Sequence, residues 1–81
     1  MPRLRELSGQ QVLETLIDFG YTVASQDGRH LKMRTTAGRD AARTLTFPMM
    51  QELDKLVLTA IFHEARQYVS EERLRRRFYE D

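Results

Sequence analysis

The sequence predicts an α+β fold, in which helices pack on one face of a three-stranded antiparallel sheet. Apolar residues recur with the period of a helix before Gly20 and again after Gln51. Between these segments, short runs rich in β-branched and aromatic residues alternate between apolar and polar positions, which is typical of strands that bury one face. A turn signal at Asp27-Gly28 and a proline at Pro48 delimit the strands. The other face of the sheet is then left polar.

Length and composition indicate a single domain spanning residues 1–81. The chain has 81 residues, of which 41% are hydrophobic and 31% charged, and its net charge is only +1. Any affinity for nucleic acid must therefore come from local clusters of cations. The sequence has no cysteine, which excludes disulfides and thiolate metal sites. Its two histidines lie too far apart in the sequence for the usual spacing of a zinc site.

No segment of the sequence is expected to enter a membrane. No apolar run approaches the roughly 18–20 residues that a membrane helix needs. The basic residues near the N-terminus, within Met1–Glu6, are not followed by the apolar stretch of a signal peptide. We therefore expect a cytoplasmic protein that has no membrane partner.

The first helix follows a lead-in, Met1–Leu7, that is expected to be loose and basic. Ser8 has the position of an N-cap, and Gln11 completes the spacing of a capping box. One apolar stripe then follows at helical spacing, formed by Val12, Leu13, Leu16, Ile17 and Phe19. Gly20 ends the helix, because glycine readily adopts the positive φ of a helix terminus.

The first two strands form a predicted hairpin. Tyr21–Ser25 is rich in aromatic and β-branched residues, and Asp27-Gly28 indicates a turn of two or three residues. The second strand, His30–Thr35, alternates. Its apolar side carries Leu31, Met33 and Thr35, and its polar side carries His30, Lys32 and Arg34.

A loop and a third strand complete the sheet. Thr36–Ala42 has no periodicity and is expected to be an exposed loop. Arg43–Phe47 alternates again, with Leu45 and Phe47 on the buried side. Pro48 ends this strand because it cannot donate a hydrogen bond to a neighbouring strand.

Two helices follow the sheet. From Gln51 the apolar period changes to that of a helix, and the predicted buried face contains Leu53, Leu56, Val57, Ala60, Ile61, Ala65 and Tyr68. Ser70 is expected to cap a short final helix. Val69 and Leu74 have the spacing of a hydrophobic staple, and Phe78 lies one turn after Leu74.

The polar side of the second strand points most directly to function. There His30, whose imidazole can accept or donate a proton, is aligned with the fixed cations Lys32 and Arg34. Such a row suits a phosphodiester, because cations bind phosphate while the imidazole moves a proton. With RNA, the imidazole can deprotonate a ribose 2′-hydroxyl, which then attacks the adjacent phosphorus. The alternative interpretation of His30 is an ordinary surface histidine.

Other residues allow more than one interpretation. Arg29 is either a further phosphate ligand or a turn residue that points to water. The arginines near the C-terminus either contact RNA phosphates or form a solvated or partner-facing surface; they are Arg73, Arg75, Arg76 and Arg77. His63 is interpreted as a partly exposed histidine on a helix. Met33, Met49 and Met50 are interpreted as filling gaps in a core or interface, with Met50 also a candidate for a partner-binding surface.

A series of short motifs resembles the HicA family of toxin–antitoxin systems, also called YcfA-like proteins. The matching segments are Leu7-Ser8-Gly9, Gly20-Tyr21, Gly28-Arg29-His30, the basic residues Lys32 and Arg34, Thr46-Phe47-Pro48, and Glu52-Leu53 with Leu58. No single motif is specific, whereas the ordered set over residues 7–62 is fairly specific. The order of elements is also that of the double-stranded-RNA-binding domain, which is a likeness of fold alone.

The resemblance implies a messenger-RNA interferase, which is a small endoribonuclease that uses one histidine and needs no metal or other cofactor. By position, His30 is the implied catalytic residue. The expected RNA contacts are Lys32 and Arg34, with Arg29 as a third candidate. The resemblance also implies a HicB-type antitoxin that covers this face, and such a partner is expected to be acidic or apolar. The sequence leaves open whether the chain forms a homo-oligomer or only a hetero-complex.

The chain departs from the family pattern near the implied site. Arg29 replaces a serine or threonine, and Met50 stands where a second histidine is common. Leu56-Val57 replaces a glycine–threonine pair, and Asp54 replaces a common lysine. These replacements motivate an alternative, a catalytically inactive HicA-like module that binds RNA or a protein. A structural subunit of an unrelated complex is a third possibility, supported only by the modest net charge.

Overall fold

The computed structural model describes residues 2–35 and 43–80, so the expected loop Thr36–Ala42 lies outside the described residues. The elements in chain order are β1 (Arg3–Leu4), α1 (Gly9–Asp18), β2 (Thr22–Asp27), β3 (His30–Thr35), β4 (Arg43–Pro48), α2 (Lys55–Ala65), α3 (Glu71–Phe78) and β5 (Tyr79–Glu80). Strands β2, β3 and β4 form an antiparallel sheet in that order, and β1 pairs with β5. The predicted α+β class with a three-stranded antiparallel sheet is confirmed. None of the helices in the described ranges is both long and apolar enough to cross a membrane.

One face of the sheet is buried and the other is exposed, as the alternation predicts. The buried side chains are Leu31, Met33 and Thr35 of β3 and Leu45 and Phe47 of β4. The apolar members of this set share one core with residues of all three helices. The intervening residues of β3 are all exposed, and so is every residue of β2, which forms an edge of the sheet. The exposed face, called the outer face below, contains the predicted site.

The start of α1 is fixed by the predicted capping box. The Gln11 backbone N–H donates to the Ser8 hydroxyl over 3.1 Å, and the Gln11 side-chain oxygen accepts from the Ser8 N–H over 2.9 Å. Val12 and Leu16 are fully buried, whereas Ile17 is 50% exposed, so the buried stripe is narrower than predicted. At the other end Gly20 has φ 97°, as expected for a glycine that ends a helix.

The N-terminal lead-in is ordered, and the prediction that it is loose was wrong. Its strand β1 pairs with β5, and the Arg5 N–H donates to the Phe78 carbonyl over 2.8 Å. Leu7 is buried, and its carbonyl accepts the Leu53 N–H over 2.9 Å. Because the pairing residues come from opposite ends of the chain, no local pattern in the sequence could indicate them.

Helix α2 begins later than predicted, and its buried face overlaps the predicted one only in part, at Ile61 and Ala65. It starts at Lys55, because the Asp54 carboxylate accepts the Val57 N–H over 2.8 Å and caps the helix there. Leu53 is buried from the segment before the helix, whereas Leu56 is 84% exposed. The buried residues within the helix are Leu58, Ile61, Phe62 and Ala65. Leu56 and Ala60 were therefore wrongly assigned to the buried face.

The short helix α3 agrees with its prediction. The Ser70 hydroxyl accepts the Arg73 N–H over 3.3 Å and caps the helix. Leu74 and Phe78 are fully buried one turn apart, and Val69 is partly buried against the same core. This helix therefore packs on the core of its own chain.

Candidate nucleic-acid interface

The predicted site begins at a two-residue hairpin loop formed by Gly28 and Arg29. Asp27 and His30 are paired directly across it. Gly28 has φ 60°, and among the described residues only glycines have a positive φ, which matches the type II′ turn with glycine in its first loop position. The Arg29 carbonyl accepts the Met49 N–H over 2.6 Å, so β4 also holds the turn in place. His30 is therefore the first residue of a well-anchored strand.

Strand pairing surrounds the predicted row with defined neighbours on the outer face, because residues directly opposite one another project to the same side of a sheet. The pairings across β2, β3 and β4 are Asp27, His30 and Pro48; Ser25, Lys32 and Thr46; and Thr22, Arg34 and Thr44. His30 thus lies between a carboxylate and a proline ring. The two cations lie between hydroxyl-bearing residues.

Sequence reasoning missed Ser25 and Asp27 as outer-face residues. The pairing with β3 shifts between Val23 and Ser25, so that Ala24 is an extra residue in a β-bulge. This extra residue reverses the alternation and brings Ser25 and Asp27 to the outer face. The turn could have revealed Asp27, since a two-residue loop after Asp27 makes it the partner of His30.

Most described arginines outside the three-stranded sheet are paired with carboxylates. The pairs have N–O distances of 2.9 to 3.7 Å and involve Arg3, Arg5, Arg66, Arg75, Arg76 and Arg77. In contrast, Arg29, Lys32 and Arg34 have no ion pair within the described residues, although Asp27 lies nearby. All three residues are exposed. The cations at the predicted site are therefore free to meet an anionic ligand.

Three of the four arginines of α3 are held by carboxylates, and the fourth, Arg73, lies over the Phe19 ring at 5.5 Å. Arg75 and Arg76 each bind the glutamate one turn earlier over 2.9 Å, and Arg77 binds the Asp18 carboxylate over 3.0 Å. The hydrogen bond from Arg75, supported by Arg66, holds the pKa of Glu71 below its usual value. These contacts favour the interpretation of α3 as a solvated or partner-facing surface over that of an RNA-binding cluster.

The remaining candidates do not join the row. His63 is exposed on α2, with its ring edge-on to Phe62 at a centroid distance of 5.9 Å. Met33 is fully buried, Met49 is partly buried, and Met50 is 46% exposed after the end of β4. Within the described ranges, no three histidine, aspartate or glutamate side chains are grouped so that they could hold a metal ion.

Two surface clefts lie elsewhere on the molecule, with volumes of about 390 and 490 Å³. Both include Arg5, Leu7 and Gln11, and neither includes a residue of the three-stranded sheet. The His30 row lies outside both clefts, on the exposed face of the sheet. Such a surface suits a polymer that lies across it better than a small molecule that must be enclosed.

No family model, curated protein or solved structure matches this chain. The chemistry of the outer face is therefore interpreted from its own residues and their geometry.

Proposed function

We propose that this chain is a HicA-like toxin, a metal-independent endoribonuclease of the messenger-RNA interferase type, with His30 as its proton-transfer residue. One observation carries the proposal. The exposed imidazole of His30 lies in line with Lys32 and Arg34, two cations without a carboxylate partner among the described residues. In contrast, Arg75, Arg76 and Arg77 of α3 are each paired with a carboxylate. A row of free cations beside a titratable group suits the cleavage of a phosphodiester.

The reaction needs one base and cations that bind the phosphate. The His30 imidazole takes the proton of a ribose 2′-hydroxyl, and the oxygen so formed attacks the adjacent phosphorus. The bond from phosphorus to the 5′ oxygen breaks, and that oxygen takes a proton from water. The products are a 2′,3′-cyclic phosphate and a free 5′-hydroxyl. DNA resists this reaction because it has no 2′-hydroxyl.

The basic residues hold the charge that develops on the phosphate. Lys32 and Arg34 stabilise the additional negative charge of the pentacoordinate phosphorus, and Arg29 is the third candidate ligand. Guanidinium groups bind two phosphate oxygens at once, which makes the arginines suited to orienting the substrate.

The proposal includes a fold like that of the double-stranded-RNA-binding domain. The order of α1, the three-stranded sheet and α2 supports it, as does the single buried face of the sheet. The proposal also includes a cytoplasmic HicB-type antitoxin that covers the outer face. The exposed side chain of Met50 and the basic row are suited to an apolar and acidic partner.

The test is cleavage of an unstructured RNA by the purified protein in the presence of a chelator. We expect the wild type to cleave it and leave cyclic-phosphate ends, and we expect His30→Ala to be slower by about 100-fold or more. His63→Ala is the matched control, because it removes the other exposed histidine of the chain and should retain full activity.

The alternative function is a HicA-like binding module without catalytic activity. It is favoured on the β4 side of His30, where the residue directly opposite is Pro48, which offers no group that could transfer a second proton. If neither wild type nor His30→Ala cleaves RNA after any bound partner has been removed, the nuclease proposal fails and the binding module takes its place.

A further inference from the structure

Resting on the proposed function, we propose that the outer face binds one nucleic-acid strand along β3. The phosphates of this strand contact His30, Lys32 and Arg34, which we call the track, and the Asp27 carboxylate ends the track at His30. The scissile phosphate is then the last one bound, with two further phosphates at Lys32 and Arg34 on one side only. This inference adds a register and a direction to the proposed activity. It rests on the strand pairings and on the one carboxylate that faces the row.

The spacing of the row fits a single strand. Alternate residues of a β-strand are about 7 Å apart, so His30, Lys32 and Arg34 form a row with this repeat on the exposed side of β3. An extended nucleic-acid strand carries one charge per nucleotide, and its backbone repeat of six bonds lets successive phosphates lie at a similar distance. Three phosphates of one strand can therefore meet the three residues in turn.

The width of the charged region argues against a duplex. The row occupies the central strand, and its neighbours on both sides are uncharged at Lys32 and at Arg34. Their hydroxyl groups can hydrogen-bond to phosphate oxygens or to ribose on either side. A duplex presents two lines of phosphates, whereas this face offers one line of cations. No aromatic residue occupies the outer-face positions of the described strands, so the strand is held by its backbone rather than by base stacking.

The two ends of the row differ in charge. At the far end, Arg34 is flanked by Thr22 and Thr44. At the near end, His30 is opposite Asp27, whose exposed carboxylate has no hydrogen bond or ion pair within the described residues. Its negative charge repels a further phosphate beyond His30, while Arg29 in the adjacent turn stays available to the phosphate at His30. The track therefore ends at the catalytic residue.

The first experiment measures cleavage of DNA strands that contain a single ribonucleotide, which fixes the position of the cut. Two series extend the strand by one nucleotide at a time, one on the 5′ side and one on the 3′ side of that ribonucleotide. We expect kcat/KM to rise with the first two phosphates in one series and to change less than twofold in the other. Asp27→Asn should make the unresponsive series responsive.

The second experiment needs no catalysis. Binding of all-deoxy single strands, and of the duplexes they form with their complements, is measured by fluorescence anisotropy at several salt concentrations. Lys32→Gln and Arg34→Gln should each reduce the slope of log affinity against log salt by about 0.7, the value for one phosphate contact on a single strand. Arg76→Gln is the matched control, because this exposed cation is held by Glu72 on α3 and should leave the slope unchanged.

The results separate this inference from the proposed function. Equal gains in both series, equal binding of duplex and single strand, or an Asp27→Asn variant that behaves like wild type would overturn the track while leaving the nuclease intact. If the salt slopes change as predicted but no variant and no wild-type protein cleaves RNA, the nuclease proposal and the position of the cleaved phosphate at His30 are both overturned. Only the row of cations then remains, as a binding surface. If the salt slopes of Lys32→Gln and Arg34→Gln both equal that of the wild type, the binding surface is overturned as well.

Discussion

Lys32 and Arg76 show that a cation's neighbours decide what it can do. Both side chains are exposed and carry the same charge. Arg76 binds Glu72 within its own helix, whereas Lys32 lies between Ser25 and Thr46 and has no carboxylate partner among the described residues. A free cation can release counterions when it binds phosphate, and a paired one must first give up its carboxylate. The number of arginines in the sequence therefore suggests α3 as the phosphate-binding surface, whereas the ion pairs in the structure favour β3.

Tyr21 allows a prediction about stability at the scale of one residue. Its side chain is buried, and its hydroxyl has no hydrogen-bond partner within the described residues. Burial, together with the charges of Glu64 and Tyr68, raises the pKa of Tyr21 from 10.0 to about 12. Removing a buried polar group that lacks a partner is expected to stabilise the fold, so Tyr21→Phe should raise the free energy of unfolding at pH 7 by about 1 kcal/mol.

The pH dependence of Tyr21 has a definite sign. A phenol whose pKa is higher in the folded state favours folding fully below the pKa of the unfolded chain, and this contribution is lost as the pH rises from 10 towards 12. Urea unfolding at pH 7 to 11 should therefore show wild type losing stability above pH 10 more steeply than Tyr21→Phe. Tyr79→Phe serves as the control. Parallel curves for wild type and Tyr21→Phe would contradict the prediction.

At the scale of the element, α2 has one capping residue that sets its start and two apolar stripes of which only one is buried. Asp54 accepts the Val57 N–H, and the helix starts at Lys55. The sequence contains two overlapping apolar stripes, one through Leu56 and Ala60 and one through Leu58 and Ile61. The second is the buried one. Leu53, which the first stripe included, is buried from outside the helix, so its burial gives no information about the helix's orientation.

A pair of substitutions tests this assignment. Leu58→Ala should lower the free energy of unfolding by about 2–5 kcal/mol, because Leu58 is fully buried in the core. Leu56→Ala should change it by less than about 0.5 kcal/mol, because the side chain is already in water. Both values can be measured by urea unfolding followed by circular dichroism. A larger loss for Leu56→Ala than for Leu58→Ala would show that the helix buries the other stripe.

At the scale of the whole molecule, the two ends of the chain are joined. Strand β1 pairs with β5, the Arg5 guanidinium donates to the Tyr79 carbonyl over 3.1 Å, and Glu80 binds both Arg3 and Arg5. Exposed ion pairs such as these contribute little individually. The main stabilisation comes from Leu74 and Phe78, which are fully buried in the same core as the sheet. Helix α3 is therefore an integral part of the fold.

This arrangement predicts that α3 unfolds together with the sheet. Leu74→Ala should lower the free energy of unfolding by about 2–5 kcal/mol and leave a single transition, because its loss creates a cavity in the shared core. Unfolding is followed by tyrosine fluorescence and by far-ultraviolet circular dichroism, and the two curves should coincide. Two separate transitions, with the first limited to loss of helix, would mean that α3 is an independent appendage. Arg76→Ala, a change at a side chain that is 72% exposed on the same helix, is the matched control.

Local chemistry explains what could be predicted from the sequence. The capping box at Ser8, the positive φ of Gly20, the Asp27-Gly28 turn and the alternation of His30–Thr35 each depend on residues within a few positions of one another. Such short-range preferences are encoded directly in residue type and spacing. They were sufficient to identify the sheet class and to align His30, Lys32 and Arg34 on one exposed side of a strand.

The tertiary structure alone decided the features that join distant parts of the chain. The pairing of β1 with β5, the burial of Leu58 rather than Leu56, and the bulge that brings Ser25 beside Lys32 all depend on partners that local patterns do not specify. The same is true of charge, because Arg77 is neutralised by Asp18, far away in sequence, whereas Lys32 is not paired in the described residues. The sequence by itself determined which residues could carry the chemistry, and folding determined which of them remain free to do so, because pairing and burial are set by neighbours in space.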